Sequence, residues 1–279
     1  MKFAIYEEFP EDKNLGKLVH MDFPADIIVA SKNLREFQDF ERQIKYTNSN
    51  VQRVGYWPVL SKEEGYWMSP FAKRTAIERI ISELEERLKD DEKLLLKWDA
   101  ELPLAFRESR ISLYKELRSL NFLKNKARIQ NFLKQHSDYG LDLMTAEWPT
   151  FMLPELFQES IGVAFNPGFN EYNSEKGRML YSSFRKYFYS ISDKKLIDNL
   201  FYWFYKKQIR KGLKDYGERF WVGIGCLDTG ILKTEPITTY GEFEQDLRLA
   251  KIYGAERILI FRLGGLNREY SSIIKQYLS

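Results

Sequence analysis

The chain has 279 residues, 44% of them hydrophobic and 30% charged, and its 43 basic and 40 acidic residues leave a formal net charge of +3. These figures describe a folded globular chain and exclude both a disordered segment and the one-sided basic footprint of a nucleic-acid binder. A single cysteine, Cys226, excludes an internal disulfide, and two histidines, His20 and His136, leave almost nothing from which to build a His/Cys zinc site.

In chain order the first element is KFAIYEEF, a short apolar run that reads as a strand. The same N-terminus, MKFAIYEEFPEDK, carries acids where a signal peptide has its apolar region, and no stretch reaches the length of a membrane span. A cytoplasmic protein with no membrane partner is therefore expected. The connection from Glu11 to Pro24 is short and weakly helical. ADIIVAS is the second strand, followed by a helix whose stripe is Leu34, Phe37, Phe40 and Ile44, with Ser31 and Asn33 as capping candidates. VQRVGYWPVL is the third strand. The helix after it places Ile77, Ile80, Ile81, Leu84 and Leu88 on one face.

KLLLKWDAEL reads as the fourth strand in preference to LPLAFRES, because Pro103 would sit inside the latter and proline cannot join a ladder. A helix ending with Ile129, Phe132, Leu133 and His136 leads to GLDLMTAEW, and IGVAFN reads as the sixth strand. The connection at about 167–218 is long and holds two helical patterns, one near Lys176 to Tyr187 and one with Leu196, Ile197, Leu200, Phe201 and Phe204. RFWVGIGCLD and ERILIFRLGG complete the set, separated by a helix with Phe243, Leu247 and Ala250 that Gly254 stops. Eight strands alternating with helical segments and no linker between them predict an α/β fold: one eight-stranded β/α (TIM) barrel over residues 1–279.

Three stretches repeat Glu, an apolar residue and Pro: YEEFP at 6–10, DAELP at 99–103 and TAEWP at 145–149. Proline ends each strand, so these glutamates fall at C-terminal strand ends, the catalytic side of a barrel. In the fourth strand Lys97, Asp99 and Glu101 share one face and Leu96, Trp98 and Ala100 the other. The apolar set belongs against helices, so the charged set points inward, where charge must be paired or functional. Other strand ends contribute Glu7, Glu8, Glu147, Trp148, Asn166, Asp228 and Arg262. At the third strand GYWPVLSKEEGYWMSPF is expected to bring Tyr56, Trp57, Tyr66 and Trp67 into a loop on the same face, with the stretch from Ser61 to Phe71 walling a cleft. Acids among aromatic rings suit a carbohydrate or another small polar substrate, since two carboxyl groups suffice for glycosidic hydrolysis. The aromatics equally suit packing beneath a loop.

The sequence Asp99-Ala100-Glu101 resembles the tail of the strand-four motif of chitinase-type glycoside hydrolases, although KLLLKW stands where those enzymes have Gly and a further Asp. The resemblance implies Glu101 as general acid/base and Asp99 as the residue that orients it. Glu147 or Asp228 then completes the catalytic set, with Glu8, Trp57, Tyr66, Trp67, Trp148, Asn166, Arg262 and Lys97 as substrate contacts and no cofactor or metal. Three rivals stay open at this level. Gly223, Gly225, Gly264 and Gly265 would suit a phosphosugar enzyme with Lys97 as a Schiff-base candidate. Glu8, Asp99, Glu101 and Glu147 would suit a metal-dependent isomerase. A barrel that binds glycan or protein without catalysis would keep the aromatics alone. Oligomeric state has no signature here.

Overall fold

The computed structural model describes residues 1–89, 93–102, 117–136, 140–150, 154–164 and 174–278. Its strands are β1 (Lys2–Glu7), β2 (Ala25–Ser31), β3 (Val51–Pro58), β4 (Leu94–Asp99), β5 (Leu141–Glu147), β6 (Ser174–Met179), β7 (Phe220–Gly225) and β8 (Arg257–Phe261). They close a parallel barrel in chain order, so the α/β barrel expected from the alternating pattern is the fold. Helices between them are α1 (Asp12–Leu15), α2 (Leu34–Thr47), α3 (Arg74–Leu88), α4 (Leu120–His136), α5 (Glu155–Ser160), α6 (Lys194–Tyr216), α7 (Tyr240–Ile252) and α8 (Arg268–Lys275).

Local chemistry sets the boundaries. Asn33 Oδ1 accepts from the Glu36 amide at 2.9 Å and starts α2, while Ser31 ends β2 instead. Thr239 and Glu242 form a reciprocal capping box that opens α7. The apolar stripes read from sequence are the buried faces: Phe37 and Ile44 of α2, Ile77, Ile80, Ile81 and Leu84 of α3, and Phe243, Leu247 and Ala250 of α7.

The sixth strand is not IGVAFN. Ile161 and Gly162 terminate α5, with Gly162 at φ +69° donating its N–H to the Glu159 carbonyl. The strand is Ser174–Met179, SEKGRM, and the helical pattern expected near Lys176 to Tyr187 is this strand followed by a 3-10 helix, Ser182–Phe188. Its charges hid it from a search for apolar runs, because Lys176 and Arg178 are buried by pairing with α6. Arg178 Nη1 donates to Gln208 Oε1 at 3.2 Å, and Lys176 Nζ lies 5.9 Å from the Tyr216 ring. The long helical connection therefore begins after Met179 rather than near residue 167. Its second pattern, Leu196 to Phe204, lies within α6.

Proximity of Cα atoms divides the chain into two compact units. The first comprises Met1–Val29, Phe40–Val54 and Lys176–Ser279. In it β1 pairs with β2 and β8, and β7 with β6 and β8. The second comprises Ala30–Asp39 and Gly55–Glu175. There β4 runs beside β5, with Leu94 opposite Leu141 and Asp99 opposite Ala146.

Candidate active site

In the second unit, alternation along β3 and β4 sorts the side chains. Tyr56 stacks on Phe37 of α2 at 5.0 Å, and Trp98 lies 6.1 Å from Phe132 of α4, so both face helices. Trp57 and Lys97 take the opposite face, where the Lys97 ammonium sits 3.1 Å from the centre of the Trp57 ring. Tyr56 and Trp57 are thus residues of β3 itself rather than of the loop that follows it. Lys97 Nζ also donates to Asp99 Oδ2 at 3.0 Å, with both side chains almost wholly buried. Asp99 Oδ1 is buried and has no hydrogen-bond partner among the described residues. Glu101 follows two residues later, buried just beyond the strand end.

Glu147 closes β5, buried, and accepts from Thr145 Oγ1 at 3.1 Å. Trp148 is half-buried, and its carbonyl accepts from Gln158 Nε2. Tyr66 and Trp67 meet edge to face at 5.1 Å and are buried; the bridge between Val59 and Trp67 folds the loop back on β3. Asn166 lies outside the described residues.

The first unit gathers a separate set of acids at the ends of β1, β7 and β8. Glu7 is fully buried; its Oε1 accepts from Arg262 Nη1 and from the Phe9 amide, and its Oε2 from the Gly264 amide, all at 2.7 Å. Burial pushes the Glu7 carboxyl up to about 7 against the pull of Arg262 and the two amides. Arg262 reaches Asp228 Oδ2 at 2.7 Å and the Thr229 carbonyl at 2.8 Å, and its guanidinium lies 4.9 Å from the Phe9 ring. All three of its nitrogens are therefore engaged within the protein. Asp228 uses its other oxygen to accept from the Thr229 amide.

Glycine at 264 is required by this close approach. A Cβ there would lie 2.5 Å from Arg262 Nη1 and 2.8 Å from Asp228 Oδ2. With its amide given to Glu7, Gly264 is a packing residue, and the phosphate cradle read from these glycines loses that donor.

Beside this network Glu8 Oε2 accepts from the Ile231 amide at 3.0 Å. A Cβ on Gly230 would lie 2.7 Å from that oxygen and 2.9 Å from Glu235 Oε1, so two buried carboxylates converge on one point. Glu235 Oε2 has no hydrogen-bond partner among the described residues. Sequence reading missed Glu235. Its signal was a glutamate directly before Pro236 in the segment after β7, outside the Glu-apolar-Pro spacing. Burial, Glu235 and Glu8 together push the Cys226 thiol far up, so this cysteine stays protonated and packs as an apolar residue. No group of three or more His, Cys, Asp and Glu placed to hold a metal ion occurs among the described residues.

No protein-family model matches the chain, and no curated protein matches it in sequence. Solved structures resemble its fold. The PgaB (BpsB) glycoside hydrolase domain from Bordetella bronchiseptica is 10% identical with a TM-score of 0.59, over 100% of this chain and 99% of that one. The spore cortex-lytic enzyme SleL from Bacillus megaterium is 11% identical with a TM-score of 0.53, over 100% of this chain and 74% of that one. A chitinase from Chromobacterium violaceum is 11% identical with a TM-score of 0.51, over 100% and 99%. At these identities the likeness is one of fold.

Proposed function

We propose that the chain is a glycoside hydrolase in which Glu101 is the general acid/base and Glu147 its partner carboxylate. The observation that carries this reading is the buried Lys97–Asp99 ion pair ending two residues before Glu101. Buried charges along and just beyond a barrel strand are costly unless paired or used, and here Lys97 and Asp99 are paired with one Asp99 oxygen left over for a neighbour. In this mechanism Asp99 orients the Glu101 carboxyl. Glu101 gives its proton to the glycosidic oxygen as that bond breaks, and Glu147 meets the anomeric carbon directly or activates the water that does. Asp228 has both oxygens engaged by Arg262 and Thr229, which favours Glu147 as the partner.

The test is turnover of a panel of aryl-glycosides and oligosaccharides by the purified chain, with and without EDTA. Glu101→Gln keeps shape and removes the titratable proton, so kcat should fall by roughly 10²- to 10⁴-fold with the fold intact. Near-normal turnover by this variant removes Glu101 from the mechanism. Activity should survive EDTA, and loss on chelation with recovery on adding Mg²⁺ or Mn²⁺ would favour the isomerase reading instead.

A further inference from the structure

Helix α6 has a solvent face that changes character along its length. Leu196, Leu200, Trp203, Lys207, Arg210 and Lys214 follow the spacing i, i+4, i+7, i+11, i+14, i+18, which is one face of an α-helix, and all six are exposed. The first three are apolar, with Leu196 59% and Trp203 53% exposed. The last three are basic. The turn leading into the helix adds Phe188 and Ile191, the latter 76% exposed. Scattered exposed apolar residues are ordinary, whereas a continuous run at one spacing marks a contact surface.

Charge identifies the partner. The α6 sequence KKLIDNLFYWFYKKQIRKGLKDY has seven basic residues and two acidic ones. That excess is larger than the +3 of the entire chain, so the remainder of the molecule is net acidic. Both acids of the helix are paired locally: Asp198 accepts from Arg185 at 2.9 Å and from Tyr189 at 2.6 Å, and Asp215 pairs with Lys211. Lys207 extends along the Trp203 ring at 5.1 Å, placing an ammonium beside the apolar segment. Aliphatic side chains flanked by Trp, Phe and a basic row suit an interface of acyl chains and negative headgroups.

We propose that the exposed face of α6 docks the protein on an anionic phospholipid surface. Leu196, Leu200 and Trp203 enter the headgroup region, and Lys207, Arg210 and Lys214 meet phosphates. The absence of a spanning helix among the described residues is no obstacle, since a helix lying in the interface plane spans nothing.

Vesicle co-sedimentation with the intact chain tests this, using phosphatidylcholine alone and phosphatidylcholine mixed with phosphatidylglycerol. The protein should partition at least about tenfold more strongly onto the anionic vesicles and be released as salt is raised. Leu196→Ser/Leu200→Ser/Trp203→Ser should weaken that binding about tenfold or more. Lys207→Glu/Arg210→Glu/Lys214→Glu should abolish the preference for anionic lipid. Every substituted side chain is exposed, and a thermal melt of each variant verifies folding. Failure of the wild-type chain to bind either vesicle overturns the proposal, as does undiminished binding by either variant. A solution dimer that the apolar triple substitution converts to monomer would assign the face to a second copy of the chain and likewise overturn it.

Discussion

Arg262, directly after β8, ties three segments together through one planar group: Glu7 at the end of β1, Asp228 after β7, and the end of β8 that carries it. Lysine cannot reproduce that fork of donors. Arg262→Met strips the cation from Glu7, which burial then holds protonated, and leaves Asp228 without its partner, so unfolding free energy should drop by about 1–3 kcal/mol, read from denaturant midpoints. A drop of less than about 1 kcal/mol would show the network to be dispensable. Glu235 is the contrasting case, a buried acid facing Glu8 with one oxygen unpartnered among the described residues. Glu235→Gln replaces one of two converging carboxyl groups by an amide that can donate to the other, and should raise stability by roughly 1 kcal/mol, the pattern of a residue kept for a purpose other than folding. A destabilised Glu235→Gln would show instead that the carboxylate is needed by the fold.

Helix α6 is held to β7 by a glycine, since a Cβ at Gly212 would lie 2.2 Å from the Phe220 ring. Gly212→Ala must displace that buried ring, and overpacking of this kind should cost about 1–3 kcal/mol despite the better helix propensity of alanine. A stabilised Gly212→Ala protein in urea titration would show that the contact yields easily. At this scale the sequence was legible where an apolar run or stripe coincides with one element, and it misled at IGVAFN, whose buried Ile161, Val163 and Ala164 pack at and beyond the end of α5 rather than in a strand. The stripes of α2, α3 and α7 carry the helical period, and β1, β2, β7 and β8 are continuous apolar runs buried along most of their length. β6 was illegible because Lys176 and Arg178 are buried through partners on α6, and no local pattern reports a partner that distant in sequence. The candidate site divides the same way. Lys97 and Asp99 were visible from alternation within one strand, whereas Glu235 meets Glu8 only because the chain folds back across more than two hundred residues, and the links from Arg262 to Glu7 and Gly264 are equally nonlocal.

Over the whole molecule, pH acts on stability through carboxyls of two opposing kinds. Glu7 and Asp246 are fully buried, and burial raises each to about 7, from ordinary values of 4.5 and 3.8. Asp246 on α7 accepts from Ser182 Oγ with one oxygen; its other oxygen has no hydrogen-bond partner among the described residues, and Arg185, Lys186 and Glu242 surround it. Between the ordinary carboxylate range and about pH 7 the folded protein holds protons on these two groups that the unfolded chain has released. Their contribution is therefore complete below the ordinary range and is lost as pH rises through about 7. Glu64, Glu85 and Glu242 are held low chiefly by the Ser61 amide, by Arg128 and by hydrogen bonds from Lys186 and Thr239 that outweigh burial, respectively, so their contribution is lost on acidification. The two trends place the optimum in weak acid. Melting temperature measured from about pH 4.5 to about pH 8 should peak near pH 5 and decline through neutrality. Asp246→Asn retains an acceptor for Ser182 and nothing to titrate, so it should flatten the decline above pH 5 while leaving the acid limb unchanged. An Asp246→Asn protein whose melting temperature falls toward pH 8 as steeply as that of the wild type would remove Asp246 from the account and leave the slope to Glu7, where Glu7→Gln is the corresponding measurement.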